Sequence, residues 1–184
     1  MWSSFFFIVL SPCYQELFAS PLPIHVPADQ PTIQQAIDSA ETGDLVLVAP
    51  GTYHEHIDFH GKAITLASEA GPPATILDGD FSGPVVTFYT GEGSDSVLTG
   101  FTVQRGFGSY GSGIRLSGTA PLIISNVFEA NWQPAGSFGA AIGGNNASPI
   151  ILDNVFSQNH CDGQFLAGVP ADRPAQARGP GLMV

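Results

Sequence analysis

Short runs of apolar residues, each followed by polar residues and glycine, recur at regular spacing in the second half of the chain. Residues 121–131 (PLIISNVFEAN) are matched by residues 149–159 (PIILDNVFSQN), which begin 28 residues later. A looser copy at residues 97–103 (VLTGFTV) precedes the segment that begins at Leu122 by 25 residues. Each copy has one β-rich run and no space for two helices, and it cannot bury its own apolar side. The pattern therefore predicts a solenoid of strands whose coils stack about 4.8 Å apart.

Stacking places equivalent positions of successive repeats directly above one another. The repeat predicts roughly five coils, two columns of inward apolar side chains and two ladders of asparagine amides, which stacked strands favour. The apolar columns are Leu98 with Ile123 and Ile151, and Val103 with Phe128 and Phe156, and the ladders are Asn126 with Asn154 and Asn131 with Asn159.

Residues 31–40 are the one segment with a clear helical period. An apolar stripe at i, i+3, i+4 and i+7 lies on one side of the expected helix. The stripe consists of Ile33, Ala36, Ile37 and Ala40. Asp29 or Thr32 can cap its start, and Gly43 is placed for a left-handed residue at its end. We expect this helix to cover the open apolar end of the first coil, as terminal caps do in repeat proteins.

Strands are predicted wherever β-branched and apolar residues lie between turn residues. These segments are residues 24–27, 44–48, 53–59, 63–66, 74–77, 85–88 and 96–103. The chain is therefore expected to be all-β apart from the helix, with a solenoid domain over residues 21–163.

The two ends of the chain differ from the solenoid in composition. Residues 1–20 contain the apolar run FFFIVL, which is too short to span a bilayer and is typical of the core of a signal peptide. No Lys or Arg precedes this run, so a truncated or mis-assigned start is the alternative. Residues 164–184 are an irregular tail without an apolar period, which indicates a fragment or a frameshifted end. We expect a secreted or cell-surface protein that does not span a membrane.

Charge excludes one class of partner and restricts another. The formal net charge is −11, with only 5 Lys and Arg residues in 184. Such a field repels phosphate backbones, so nucleic acid is not expected as a partner. It also disfavours polyanionic glycans such as pectate, unless Ca²⁺ bridges the two carboxylate surfaces. The sequence therefore leaves calcium open as a cofactor.

The segment HEHIDFH at residues 54–60 is the richest cluster of candidate metal ligands. If it forms one strand, His54, His56, Asp58 and His60 share one side of it, and a His-x-His pair with a third ligand suits Zn²⁺. The alternative is that these polar residues simply face water while their apolar neighbours face the core.

Catalytic carboxylates and bases are not apparent at matching positions of the repeat. A glycosidase needs two carboxylates about 5 to 9 Å apart, and the repeat offsets bring no two acids into register. Asp78 and Asp80 share a turn, where solvated acids or a loose Ca²⁺ site are expected. Of the cations, Lys62, Arg105 and Arg115 lie in the solenoid, and none is expected to face a cluster of acids.

The repeat offsets also align a set of rings. Phe107, Trp132 and His160 are separated by 25 and 28 residues, so they fall at the same turn of successive coils. Tyr110 and Phe138 lie in the neighbouring glycine-rich inserts. A row of rings at one-coil spacing can stack against sugar faces, because an aromatic ring offers apolar area at little entropic cost. The alternative is that the rings pack back on the coil surface and link its turns.

The N-terminal half carries a motif that resembles a known superfamily. The motif consists of residues 31–38 (PTIQQAID), 43–48 (GDLVLV), 50–55 (PGTYHE) and 61–66 (GKAITL). It resembles the N-terminal motif of right-handed parallel β-helix proteins of the pectin-lyase-like superfamily, and the secreted bacterial repeat proteins are the most similar. The glycine-led segments at 111–114 and 138–142 resemble the strand that opens each coil of that family. The resemblance implies a right-handed parallel β-helix with a capping helix. Because the superfamily includes lyases, esterases, polygalacturonases and members without known chemistry, it implies no activity.

Two functions are compatible with these observations. The first is a non-catalytic module that presents a regular side to a carbohydrate or to a cell-surface protein. The alternative is a fragment of a polysaccharide-active enzyme, such as a Ca²⁺-dependent pectate-type lyase whose catalytic coils lie outside this chain.

Overall fold

The computed structural model describes residues 22–135 and 139–162. The predicted signal peptide, the irregular tail and Phe138 lie outside the described residues. Within the described part of the chain there are one short helix, α1 (Ile33–Ser39), and seventeen short strands. The strands are β1 (Ile24–Val26), β2 (Leu45–Val48), β3 (Gly51–Tyr53), β4 (Ile57–Asp58), β5 (Thr65–Ser68), β6 (Thr75–Asp78), β7 (Val86–Phe88), β8 (Val97–Thr99), β9 (Thr102–Gln104), β10 (Ile114–Ser117), β11 (Leu122–Ile124), β12 (Val127–Glu129), β13 (Trp132–Gln133), β14 (Ile142–Asn145), β15 (Ile150–Leu152), β16 (Val155–Ser157) and β17 (His160–Cys161).

Three parallel sheets run along the molecule, and each coil contributes one strand to each of them in turn. The first sheet has the order β1-β2-β5-β8-β11-β15, the second β16-β12-β9-β6-β3, and the third β14-β10-β7-β4. A two-stranded pair, β13-β17, lies between the second and third sheets in chain order. The fold is the predicted parallel β-solenoid, with about 4 turns where the spacing predicted roughly five. Fewer turns are complete because helix α1 follows β1 in place of strands of the other two sheets, and because the described part of the last coil, β15 to β17, adds no strand to the third sheet.

The predicted apolar columns form as expected. Leu98 and Ile151 are both register partners of Ile123, and Phe128 has Val103 and Phe156 as its partners. The rings of Phe128 and Phe156 are stacked, with centroids 5.2 Å apart and planes inclined by only 12°. Apolar side chains in the interior of the inner coils are fully buried, and Ile151 and Phe156 of the last described coil are partly buried against them, so the hydrophobic effect holds the coils together.

Both asparagine ladders are present, and the amides of Asn126 and Asn131 bond both the coil before them and the coil after them. Oδ1 of Asn131 accepts a hydrogen bond from the Gly106 N–H at 2.9 Å, and Nδ2 donates to the Val103 carbonyl at 2.9 Å. Nδ2 also donates to Oδ1 of Asn159 at 2.9 Å. Asn126 repeats this arrangement with Asn154 in the other ladder, at 3.1 Å. The amides therefore satisfy backbone groups that the corners between sheets leave without strand partners.

The residue before each ladder asparagine adopts a left-handed conformation. Ser125, Ala130, Asp153 and Gln158 have φ between 50° and 57°. This conformation costs a non-glycine residue about 1–2 kcal/mol. The hydrogen bonds of the following asparagine offset that cost, so the corner turns sharply at the same place in each coil.

Helix α1 covers the first coil, as predicted. Ile33, Ala36 and Ile37 are fully buried, and the helix packs against β1, β2 and β4. Thr32 is the N-cap, and its Oγ1 accepts from the Gln35 N–H at 3.2 Å. The helix is only 7 residues long, and among the described residues no helix is long and apolar enough to cross a membrane.

Two charged side chains, one on each side of β4, satisfy backbone groups at the two ends of α1. Glu55 accepts hydrogen bonds from the backbone N–H groups of Ile33 and Gln34, at 3.1 and 3.0 Å. Nζ of Lys62 donates to three carbonyls at the other end of the helix, at 2.6 to 2.8 Å. A carboxylate at the start and an ammonium group at the end both complement the helix dipole. Gly43 has the predicted left-handed conformation, with φ of 92°, but it lies three residues beyond the C-cap, Ala40, in the turn before β2.

The side chain of Gln34 pairs with β4, the edge strand of the third sheet. Its side-chain amide donates to the Asp58 carbonyl at 3.0 Å and accepts from the Asp58 N–H at 2.8 Å. The amide thereby makes the pair of bonds that a neighbouring strand would make with β4. Such pairing removes a free edge that would otherwise promote association between chains.

Two segments predicted as single strands are each divided by a corner. Residues 53–59 give the end of β3 and all of β4, separated by residues 54–56, and residues 96–103 give β8 and β9, separated by Gly100 and Phe101. In both cases the chain passes from one sheet to the next. Exposure nevertheless alternates after this corner, as the alternative for residues 54–60 expected: Ile57 and Phe59 are buried, and His56 and His60 are exposed.

Asn131→Ala is predicted to lower the free energy of unfolding by about 1–3 kcal/mol, because it leaves a buried N–H and a buried carbonyl without partners. Urea unfolding measures this change. Asn145→Ala, the same substitution at an exposed end of β14, is the control and should change stability by less than about 0.5 kcal/mol. Equal losses in the two variants would contradict the role assigned to the ladder.

Candidate functional site

The candidate site lies where the chain leaves the second sheet. After β9, β12 and β16 come a left-handed residue, then Gly or Asn, and then a ring-bearing residue. The left-handed residues are Arg105, Ala130 and Gln158, and the ring-bearing residues are Phe107, Trp132 and His160. Because the corner repeats with the same geometry, the rings are delivered to equivalent positions. We call Phe107, Trp132 and His160 the ring row.

The ring row is in register across three coils, as the repeat offsets predicted. Phe107 forms an isolated parallel bridge with Trp132, and Trp132 is the register partner of His160. The ring centroids of Phe107 and Trp132 are 5.9 Å apart with planes inclined by 69°, and those of Trp132 and His160 are 6.3 Å apart at 51°. The rings are therefore in contact but tilted, so each one offers a separate inclined surface rather than part of a flat platform.

Exposure differs along the ring row. Trp132 is 39% exposed, and the side chain of His160 is 67% exposed. Side chains alternate along strand β13, so Trp132 faces outward while the next residue, Gln133, is fully buried. Tyr110 is 43% exposed in the loop between β9 and β10. Adjoining exposed rings form a contiguous patch, and such patches are candidate contact surfaces.

A cluster of charged residues adjoins the ring row, and we call its members, His54, Asp78, Asp80 and Arg105, the charged cluster. Nε of Arg105 donates to Oδ1 of Asp78 at 2.7 Å, and Nη2 donates to Asp80. Nδ1 of His54 lies 2.8 Å from Oδ2 of Asp80. Gly106 alone separates Arg105 from Phe107 in sequence, so the same corner carries a member of each group.

The charged cluster corrects an expectation from the sequence. Arg105 was expected to face no acids at matching offsets, yet it bonds Asp80, 25 residues earlier, and Asp78, 27 residues earlier. The sequence contains the information for this pairing, because the offset of 25 residues that aligns Phe107 with Trp132 also aligns Asp80 with Arg105. The same guanidinium lies 5.9 Å from the ring centroid of Phe81, which is 47% exposed.

Asp78 is the buried member of the charged cluster, at 3% exposure. Burial alone would raise its pKa, but hydrogen bonds from Arg105, from the Asp80 backbone and from Gln104 lower it further than burial raises it. The net result is a pKa below the usual value of 3.8. Asp78 is therefore an ionised anchor that fixes Arg105, and a carboxylate of this kind is not suited to act as a general acid near neutral pH.

The predicted metal ligands are distributed over different partners. Nδ1 of His56 lies 2.7 Å from the Pro84 carbonyl, and its Nε2 lies 2.8 Å from Oγ of Ser82. His60 lies 3.2 Å from Asp38, and its other ring nitrogen lies 3.8 Å from Asp58. Of the predicted set, only His54 belongs to the charged cluster.

One group in the described part of the chain has the spacing of a metal site. His54, Asp78 and Asp80 each offer a ligand atom within 4.8 Å of the others. Arg105 already bonds both carboxylates, so a metal ion would have to compete with the guanidinium for the same oxygens. The geometry favours a structural ion-pair network over a resident metal ion.

Comparison with known proteins adds no assignment to this geometry. The chain matches no protein-family model, no curated protein and no solved structure.

Asp78→Asn is predicted to make the free energy of unfolding less dependent on pH in the acidic range. Because the folded pKa of Asp78 is lowered, its ionised form stabilises the fold above about pH 4, and this contribution is lost as the pH falls through the folded pKa. The variant should be less stable than the wild type at pH 7, and the difference should narrow towards about pH 2. Urea unfolding across this range measures it.

Asp95→Asn, at an exposed position, controls for the loss of one negative charge. If the free energies of unfolding of the wild type and of Asp78→Asn differ by the same amount at every pH, Asp78 is not the ionised anchor.

Proposed function

We propose that this protein is a non-catalytic module that binds a polysaccharide along the ring row. The observation that carries the proposal is the register of Phe107, Trp132 and His160 over three successive coils, with Trp132 and His160 exposed. A polysaccharide is itself a repeating chain, so a row of contacts at regular spacing suits it better than it suits a small ligand.

The chemistry of the surface supports a sugar ligand. Aromatic rings contact the apolar C–H faces of sugars, while hydroxyl groups need polar partners nearby. His54 and Asp80 of the charged cluster, about half exposed in each case, are polar groups that could contact such hydroxyls. The tilt between neighbouring rings suits a chain whose successive sugar units are rotated relative to one another.

Charge favours a neutral polysaccharide over a polyuronate. The formal net charge of −11 repels carboxylated glycans, and the cation nearest the rings, Arg105, is already paired with Asp78 and Asp80. A polyuronate would need Ca²⁺ to bridge it to the protein. A cell-surface protein is the other class of partner that this exposed row suits.

We also propose that the chain is a secreted relative of the pectin-lyase-like superfamily. The N-terminal motif at residues 31–66 supports this proposal. Its polar residues have structural roles around the capping helix. Gln34 pairs with the edge of β4, while Glu55 and Lys62 complete the two ends of α1. These roles belong to the cap and involve no chemistry, so the motif is compatible with a non-catalytic protein.

Trp132→Ala is predicted to weaken polysaccharide binding about tenfold or more, because it removes the largest exposed ring of the row. Retention on a panel of neutral polysaccharides, by affinity electrophoresis, measures the change. Tyr89→Ala, which removes a 56% exposed ring outside the row, is the matched control and should bind as the wild type does. Unchanged retention of Trp132→Ala, or equal loss in both variants, would remove the proposal.

The alternative is a Ca²⁺-assisted pectate-type lyase, and one observation favours it. Arg105 lies among Asp78 and Asp80, which is the combination of cation and carboxylates that such chemistry uses. We expect no activity, because the guanidinium is bound to both carboxylates. Incubation with polygalacturonate and Ca²⁺, followed by ultraviolet absorbance of unsaturated products, tests this. An absorbance increase that Arg105→Gln abolishes would establish the lyase instead.

A further inference from the structure

The backbone pairing of the ring row continues into the coil that precedes Phe107. The N–H of Trp132 donates to the carbonyl of the residue before Phe107, at 2.9 Å. The N–H of Phe107 donates in the same way, at 2.9 Å, to the carbonyl of Gly83, which is the residue before Pro84. Pro84 therefore occupies the position of the ring row in the preceding coil.

Pro84 suits this position by its backbone and by its side chain. Proline has no N–H, so the coil before it does not have to supply a carbonyl at this point. The next residue, Val85, is fully buried, and Pro84 is partly exposed, so the pyrrolidine ring lies on the outer side of the corner. A Cβ atom at Gly108 would lie 3.4 Å from Cγ of Pro84. The backbone that follows Phe107 therefore packs directly against the proline ring.

His56 adds a further ring on the N-terminal side of Pro84. Its Nδ1 donates to the Pro84 carbonyl at 2.7 Å, and its Nε2 lies 2.8 Å from Oγ of Ser82. Gly83 leaves space for the imidazole, since a Cβ atom there would lie 3.3 Å from Cε1 of His56. The side chain is nevertheless exposed. Because both ring nitrogens have partners, the imidazole is held in one orientation and offers its face to a ligand.

The partners of His56 set it apart from the other histidines. The chain has 5 histidines, and the other four each lie within 3.2 Å of a carboxylate oxygen. His56 contacts a carbonyl and a hydroxyl, and among the described residues no carboxylate forms an ion pair with it. A metal ion would need a free ring nitrogen, which His56 does not offer. Its uncharged surroundings suit contact with an uncharged ligand.

We propose that the polysaccharide site extends from the ring row across Pro84 to His56, so that a glycan chain runs along the solenoid past five successive rings. This inference rests on the function proposed above for the ring row. Coils lie about 4.8 Å apart, which is close to the length of one pyranose unit in an extended glycan, so each ring contacts one unit. The faces of the proline and imidazole rings supply apolar area for the C–H groups of a sugar.

The extension names the class of ligand as a long neutral glycan. The ring row alone accepts about three sugar units, and the extended site accepts about five. Each added contact strengthens binding without a second loss of translational freedom, because the units are already joined. Affinity should therefore increase with chain length up to about five units and then level off.

Isothermal titration calorimetry with size-fractionated oligosaccharides of cellulose, mannan and xylan tests the proposal. His56→Ala should leave the affinity for chains of up to about three units within about twofold of the wild type. It should weaken binding of chains of about five or more units at least threefold, because it removes a contact that only the longer chains reach. His25→Ala, which removes a partly exposed imidazole on the first sheet, is the matched control and should bind chains of every length as the wild type does.

One further variant guards against a loss of structure. His56→Gln removes the ring but keeps an amide that can bond the Pro84 carbonyl, and it repeats the test if His56→Ala loses its β-sheet circular dichroism. Wild-type affinity that does not increase beyond about three units would overturn the extension. So would a loss that is equal at all lengths, or no loss at any length. In these cases retention of Trp132→Ala still decides the function of the ring row. A wild type that no polysaccharide retains would overturn both.

Discussion

Register between successive coils is the constraint on which the rest of this structure depends. Backbone hydrogen bonds join each strand to its equivalents one coil away, and the asparagine ladders extend the same pairing through the corners. Because Asn131 bonds both the preceding and the following coil, a slip by one residue would leave buried groups unpaired and turn apolar side chains outward. The register therefore fixes the core, the corners and every surface column at once.

Much of this fold follows from the sequence because equivalent positions are spaced regularly. The 28-residue repeat predicts that Phe128 lies on Phe156 and that Asn126 lies on Asn154, and both pairs are present. Earlier coils have register offsets that differ from one another, so the same reasoning is weaker there. Residues 53–59 alternate like one strand, and local alternation alone does not reveal that the chain turns a corner within them.

The surface was less predictable than the core, for a physical reason. The alignment of Trp132 with His160 follows from the repeat, but the tilt of the rings depends on side-chain packing that no spacing encodes. Arg105 was missed although its offset from Asp80 equals that of the repeat, since Asp80 lies in a segment that shares no sequence with the later copies.

The most direct test of the stacking is a nuclear Overhauser measurement between protons of successive coils. The structure predicts cross-peaks between the rings of Phe128 and Phe156, whose centroids are 5.2 Å apart, and between Ile123 and both Leu98 and Ile151. These residues are far apart in sequence, so no local conformation produces the same peaks. Absence of these contacts, or close Hα–Hα pairs typical of antiparallel strands, would contradict the solenoid together with the surfaces derived from it.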